Sequence, residues 1–380
     1  MINKLFLDSG AFSLYTLKCK KEGLGYSFYE TDEFWKYVDD YCLLIKRNKE
    51  KFSIFVTVDV LFKPELSWKV FNYIKDTYKI TPLPVFHFPK LHRTQEFQYD
   101  GNFNQSEFKW LKKYMDNCDY LGLGGLGVEI TKRQFIPYAD RVFKLLCNDK
   151  GEPQWKVHGF AMTSLELMIR YPWTSVDSST FQIEAGFGTI NCPPIKGQKY
   201  EWLKQTQRVC LSPLAASSKK YGHYNIHLDN NSFVNKNEKE NIKRYINVLR
   251  PNTKIGISEY IEKKLTYELK ENERWFKKEN EKDIGIIERV KEKGIGNDGF
   301  LRKELNLLYY ANVMKEIRKI SKSKIFDIYF VSNTIEINDL ISKYNQSCLT
   351  SYFYLKKQSE EFIKNLKLIM PKTFNKIERN

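Results

Sequence analysis

The sequence predicts an α/β protein built as a (β/α)8 barrel of the TIM type. Near-continuous apolar runs recur along its first half, helical patterns separate most of them, and polar residues gather at the C-terminal ends of the runs. Strands covered on both faces read as unbroken apolar runs, and repeated βα units imply a parallel sheet. An open sheet would spread the polar ends along an edge, whereas a barrel brings them to one mouth.

The apolar runs fall at residues 5–7, 52–58, 83–88, 120–123, 157–162 and 173–176, with helical patterns at 32–46, 66–78, 106–115 and 133–146. Between the fifth and sixth runs only one short helix fits, at 164–171, which makes a compact βαβ crossover. Asp8, Asp59, His87, Gly124 with Gly125, His158 and Asp177 lie in or just after the ends of these runs. The stretch LHRTQEFQYDGNFNQ at 91–105 has no period and reads as a long loop above the third strand; the Gly- and Pro-rich 184–197 reads as another. Residues 208–211 and 224–228 compete for the seventh strand, and 229–240 is a polar connector. From 241 to 320 the pattern is one of charged helices, with TYELKENERWFKKENEK as a solvated helical face. The run KIFDIYFVS at 324–332 is the candidate closing eighth strand, and a basic helical tail occupies 354–370. The expected organisation is a barrel of residues 1–230 and 321–345, a charged helical insertion at 231–320 before the last strand, and a tail at 346–380.

Composition narrows the class. A chain of 380 residues with 42% hydrophobic and 15% aromatic content can bury a large core. No run of 18 apolar residues predicts a membrane span, and MINKLFLDSGAF lacks a signal-peptide layout, so a cytoplasmic location and no membrane partner are expected. Seven cysteines are scattered with no pair at metal-ligand spacing, which predicts a reducing compartment and no metal site. Lys and Arg outnumber Asp and Glu by 62 to 46, a net charge of +16. A polyanion is the expected partner, because basic charge steers association with nucleic acid and releases its counterions.

Single motifs are weak. GLGGLG at 122–127 matches the dinucleotide fingerprint in form, but it follows the fourth strand and no helix opens on it. Its glycines instead offer backbone N–H groups to a flat ligand, and no cofactor is expected. Taken alone, Asp177 reads first as a helix N-cap and Asp59 as a buried cap.

Their order is more telling than any one of them. LDSGAF, VDV, LGLGGLGVE and HGFAMTS-helix-VDSS together resemble the guanine transglycosylase superfamily, the base-exchange enzymes typified by tRNA-guanine transglycosylase. In that family an Asp-Ser-Gly-Gly-Phe/Tyr motif ends the first strand, and Ala11 stands here for the second Gly. The family's purine-reading Asp matches Asp59, and its Gly-Gly-Leu-Ala-Val-Gly-Glu stretch matches residues 124–129 with one residue missing. Its nucleophilic Asp matches Asp177. The resemblance covers residues 5–180, a little under half the chain. Two departures stand out: the zinc-binding Cys-x-Cys-x-x-Cys…His motif is absent, and His87 and His158 replace a family Gln and Met. This looks like the divergent, often virus-encoded branch, found in bacteriophages, that inserts 7-deazaguanines into DNA by queuosine-like chemistry.

The resemblance implies a pentosyltransferase with no cofactor, exchanging guanine in DNA for a free 7-deazaguanine such as 7-cyano-7-deazaguanine. Asp177 would be the nucleophile at C1′ and Asp8 the acid/base, the paired-carboxylate logic of retaining glycosidases. Ser9, Phe12, Asp59, His87, Gly124, Gly125 and His158 would bind the base, with Phe12 and His158 stacking on its two faces. Histidines at positions 87 and 158 also read as hydrogen-bonded core residues. Lys90, His92 and Arg93 would hold the nucleic-acid backbone while the target nucleotide is flipped out. A second copy of the chain is a further candidate partner, and a virus-encoded protein would work in the host cytoplasm. The same exchange on tRNA, or a non-catalytic nucleic-acid-binding barrel, are the alternatives; Asp8 with Asp177 argues against the latter.

Overall fold

The structure, a computed structural model, describes residues 5–49, 52–87, 105–125, 132–211, 224–225, 236–323 and 326–330. The chain forms two compact units, Met1–Ser179 with Met314–Asn380, and Thr180–Val313.

The first unit is mixed α/β with parallel strands in chain order. Strands β1 (Leu5–Leu7) and β2 (Phe52–Phe55) pair in parallel. Strands β3 (Val85–His87), β4 (Tyr120–Gly124), β5 (Lys156–Gly159) and β6 (Ser175–Ser178) form a second parallel ladder, and an isolated parallel bridge, Val56 to Leu83, lies between the two groups. Helices Asp32–Arg47, Pro64–Tyr78, Gln105–Asn117, Lys132–Leu146 and Leu165–Arg170 make the crossovers. Each of the six apolar runs holds a strand, and the five helices expected between residues 32 and 171 are present within a few residues.

Local chemistry explains these elements. The Thr31 hydroxyl accepts from the Phe34 N–H at 3.3 Å, Asp32 and Glu33 occupy the first turn, and Lys46 and Arg47 occupy the last. A capping side chain satisfies an orphan donor, and these charges complement the helix dipole. Phe34, Val38, Tyr41, Cys42 and Ile45 recur at helical spacing and are all buried. Pro64 opens the next helix, where a missing N–H costs nothing. Inside the sheet, the rings of Phe6 on β1 and His158 on β5 lie 4.5 Å apart between centroids. Phe6, Ile54, Tyr120 and Phe160 pack around Val56, Leu83 and Val85. Side chains of the first and fifth strands thus meet across an interior, so the sheet is curved.

The last strand is displaced from expectation. Asp327–Phe330 pairs in parallel with β6, the place a seventh strand would take. Among the described residues no ladder joins it to Leu5–Leu7. Among the described residues neither candidate for the seventh strand adds to this sheet. Gln207–Cys210 runs antiparallel to Thr189–Cys192 and parallel to Tyr224–Asn225, all within the second unit. The division therefore falls at Thr180 and Val313 rather than at the expected 231 and 320.

The second unit also corrects the helical insertion. Helices Lys236–Leu249 and Gly299–Ile320 are present, the latter continuing into the first unit, but between them lies an antiparallel sheet. Strand Ile284–Glu292 sits at its centre, flanked by Ile257–Lys264 and Glu273–Glu279. Several charges of this region pair across strands, while Lys277 and Lys282 pair locally with Glu279. Arg274 binds Glu288 at 2.6 Å, Arg289 binds Glu273 at 2.7 Å, and Arg289 and Lys291 both reach Glu259. Facing opposite charges stabilise an antiparallel ladder as i,i+4 pairs stabilise a helix, so charge pattern alone does not separate them. Residues 346–380 lie outside the described residues, as does nearly all of 91–105. No helix among the described residues is long and apolar enough to cross a membrane.

Glu288 is 1% exposed and is held by Arg274 and by the Tyr260 hydroxyl. Arg274→Ala strands a buried charge and should lower stability by about 2–3 kcal/mol in chemical denaturation. The double variant with Glu288→Leu should recover most of that. A single-variant loss below about 0.5 kcal/mol, the range of ordinary surface substitutions, would show that the ladder does not depend on this pair.

Candidate active site

Three carboxylates converge at the C-terminal ends of β1, β2 and β6. Asp8 follows β1 directly, and its Oδ1 accepts from the Ser9 N–H at 2.8 Å. Gly10 then takes φ +72°, and a Cβ there would lie 2.7 Å from the Tyr37 hydroxyl, which donates to the Ser9 carbonyl. The turn therefore requires glycine at this position. Ser9 is 1% exposed and is bound locally, its hydroxyl 3.4 Å from the Ala11 N–H at the start of the short helix Ala11–Leu14. Phe12 is 53% exposed and presents an open ring.

Asp177 is the third residue of β6 and is 7% exposed. Its Oδ1 accepts from the Ala161 N–H at 2.7 Å, and its carbonyl accepts from the Met162 N–H at 2.9 Å. Ala161 has φ +56°, an uncommon conformation for a residue with a Cβ, and this turn aims its N–H at the carboxylate. Gly159, just before, is closely packed: a Cβ would meet Met162 at 2.9 Å and the Trp173 ring at 3.0 Å.

Asp59 is buried, and its Oδ2 is bound by His87 Nε2. His87 ends β3 in register with Gly124 of β4, and its ring fills the space a Cβ on Gly124 would take, at 2.8 Å. Gly125 has φ +113°. Gly122 is similarly filled, by Phe160 at 2.6 Å. At Gly122 and Gly124 the side of the chain a Cβ would occupy is thus taken by protein rings.

His158 lies beneath Asp177 and is 0% exposed, its ring against Phe6 and Phe160 at 4.5 Å each. Its Nε2 is 3.9 Å from Asp177 Oδ1, and its Nδ1 is 2.6 Å from Ser175 Oγ. Burial pushes the imidazole down to about 3, so the ring is neutral. Being wholly buried, the ring offers no open surface on which a base could stack. Lys90, His92 and Arg93 lie outside the described residues, as do residues 126–131 of the glycine-rich stretch.

The carboxylates shift one another. Burial pushes Asp177 up to about 7, against the Ala161 N–H, and the charge of Asp8 adds to the rise. Asp8 is pushed up to about 6 by the surrounding protein and by Asp59, with the N–H groups of Ser9 and Gly10 opposing. The Asp8 side chain is exposed, so water offsets part of this rise. Two carboxylates held near neutrality, one buried and one open, can divide nucleophile and proton-transfer roles. Among the described residues no group of three His, Cys, Asp or Glu side chains has metal-binding geometry.

Asp8, Asp59, His87, Gly124 and Asp177 lie at or just after the C-terminal ends of the parallel strands, and His158 lies beneath Asp177 inside the sheet. Missed were Ala161, Ser175, Tyr120 and Tyr37. Ser175 was legible, because it lies two residues before Asp177 and so shares its face of the strand. Ala161 carried no signal, since alanine does not announce a left-handed turn. No protein-family model, curated protein or solved structure matches the chain.

The raised carboxyl sets a pH dependence. An Asp177 titrating near 3.8 unfolded and about 7 folded costs nothing below the unfolded value. Its cost grows as pH rises from the unfolded value toward the folded one and is constant above it. Asp177→Asn should therefore be more stable than the native chain at pH 8, by about 1–4 kcal/mol from ~1.4 kcal/mol per unit, and equal to it near pH 4. Denaturation curves at the two pH values measure this; an equal difference at both would mean that Asp177 is not held against ionisation.

Proposed function

We propose that the first unit is a (β/α)8-type barrel that exchanges guanine in DNA for a 7-deazaguanine through a covalent bond between Asp177 and C1′. The observation that carries this reading is the meeting of Asp8, Asp59 and Asp177 at one end of the parallel sheet, with Asp8 and Asp177 both raised toward neutrality. Parallel strands in chain order and the contact of Phe6 with His158 across the interior support a barrel. The mouth of such a barrel is where α/β enzymes carry their chemistry.

In the reaction, an Asp177 carboxylate oxygen attacks C1′ while the C1′–N9 bond breaks and its electron pair leaves on guanine, which takes a proton from Asp8. The incoming deazaguanine gives its N9 proton to Asp8, and N9 attacks C1′ to expel the Asp177 carboxylate. Two displacements retain configuration. Ala161 donates to Oδ1 of Asp177, which leaves Oδ2 for attack. His87 binds Oδ2 of Asp59, which leaves Oδ1 to accept from the purine N1–H and amino group. Phe12 supplies an exposed face for stacking. The net charge of +16 favours a polyanionic substrate.

The test is incubation of DNA oligonucleotides and tRNA with labelled guanine or 7-cyano-7-deazaguanine, read by nucleoside mass spectrometry. Label should enter DNA, faster at unpaired guanines, which are easier to flip out. Asp177→Asn should lose exchange by several orders of magnitude and form no covalent adduct, while still binding DNA with an affinity that falls linearly in log salt. Incorporation into tRNA alone would move the substrate assignment, and near-native exchange by Asp177→Asn would refute the mechanism.

A further inference from the structure

Beneath Asp177 a line of polar side chains crosses three neighbouring strands. Tyr120 on β4, His158 on β5 and Ser175 on β6 meet inside the sheet, with Ser175 and His158 in register. Ser175 Oγ lies 2.5 Å from the Tyr120 hydroxyl and 2.6 Å from His158 Nδ1. His158 Nε2 faces Asp177 Oδ1 at 3.9 Å. Ser175 and His158 are 1% and 0% exposed, so bulk water does not scramble the order of protons among them.

We propose that Tyr120 and Ser175 fix the tautomer of His158, so that its Nε2–H points at Asp177 and holds the carboxylate as an oriented anion. The directions follow from what each group can give. An ionised carboxylate only accepts, so a lone pair on Nε2 would face it with repulsion and an N–H with attraction. With the proton on Nε2, Nδ1 must accept, and Ser175 Oγ donates to it. The Ser175 hydroxyl has then used its one proton, so it accepts from Tyr120, whose phenol is the stronger acid of the two. One orientation satisfies all three contacts.

At 3.9 Å the approach to Asp177 is electrostatic rather than a formed hydrogen bond. It is directed at Oδ1, the same oxygen that the Ala161 N–H binds. Both donors therefore act on one side of the carboxylate, opposing the field of Asp8 and leaving Oδ2 open. His158 is a positioning residue here: it is buried away from any substrate and acts through Asp177. That role rests on the nucleophile assigned above, whereas the tautomer does not.

Nitrogen-15 NMR of the imidazoles, in the full chain at pH 8, tests the tautomer without any activity. The chain has five histidines, and His158 is identified by the signal lost in His158→Gln. The expected pattern is a pyridine-type Nδ1 and a pyrrole-type Nε2; the reverse pattern in the native chain overturns the proposal. Ser175→Ala should mix the tautomers and raise the Asp177 titration midpoint, followed by carboxyl carbon-13 NMR, by about 0.5 unit or more. Tyr120→Phe should act in the same direction and less strongly. An unchanged midpoint in a folded Ser175→Ala chain would also overturn it. Where base exchange is measurable, both variants should lower kcat by roughly tenfold with little change in KM, as expected of a group that acts through its neighbour. A native chain with the expected tautomer and no exchange on any nucleic acid would leave the ordered chain standing and remove the base-exchange reading alone.

Discussion

Carboxylates repel one another, and this chain brings three of them to one end of a sheet. The interaction that makes this tenable is the hydrogen bond from the Ala161 N–H to Asp177 Oδ1. It holds a buried carboxylate in the field of Asp8, and it depends on Ala161 keeping a left-handed turn that costs a residue with a Cβ roughly 1–2 kcal/mol. The surrounding packing holds the turn in place. Gly159 lets Met162 and Trp173 close against the backbone, Met162 N–H binds the Asp177 carbonyl, and Trp173 is wholly buried. A strained turn persists where its surroundings over-determine it, and such places cluster at functional sites.

The same logic governs Asp59. Its partner His87 fits only because Gly124, in register on the next strand, has no side chain. The glycine-rich stretch therefore works in part by making room for rings, His87 at Gly124 and Phe160 at Gly122. Two carboxylates thus receive donors of different kinds: a backbone N–H for Asp177 and an imidazole for Asp59. A third, Asp8, stays open to solvent with the N–H of Ser9. Differences of this kind let chemically identical groups take separate roles.

The second unit shows where reading charge as periodicity misleads. Residues 257–292 alternate Lys, Arg and Glu at spacings that suit both a helical face and a β-ladder. What decides is pairing at a distance: Arg289 lies between Glu273 and Glu259 on the flanking strands, and Glu288 is buried with Arg274 and Tyr260. Ile287 and Glu288 are buried on opposite faces of strand Ile284–Glu292, and no local window contains that information. The seventh strand failed for the same reason, since both candidates have β character and Val209–Cys210 pairs with Tyr224–Asn225 rather than with the parallel strands of the first unit.

The sequence by itself determined the α/β class, the six strands and their helices in the first unit, and the alignment of Asp8, Asp59, His87 and Asp177 at strand ends. It could do so because a parallel strand buried on both faces needs a continuous apolar run, and a strand end is where that run stops. The tertiary structure decided what those residues touch. Only packing reveals that His158 is enclosed by Phe6 and Phe160 and acts beneath Asp177, that Ser175 and Tyr120 reach it from neighbouring strands, and that Ala161 turns left-handed to bind a carboxylate 16 residues away. Asp327–Phe330 takes its place beside β6 after an intervening unit of 134 residues, Thr180–Val313. Contacts of that kind are set by the free energy of the assembled core, which sums over strands distant in the chain and leaves no mark in any one of them.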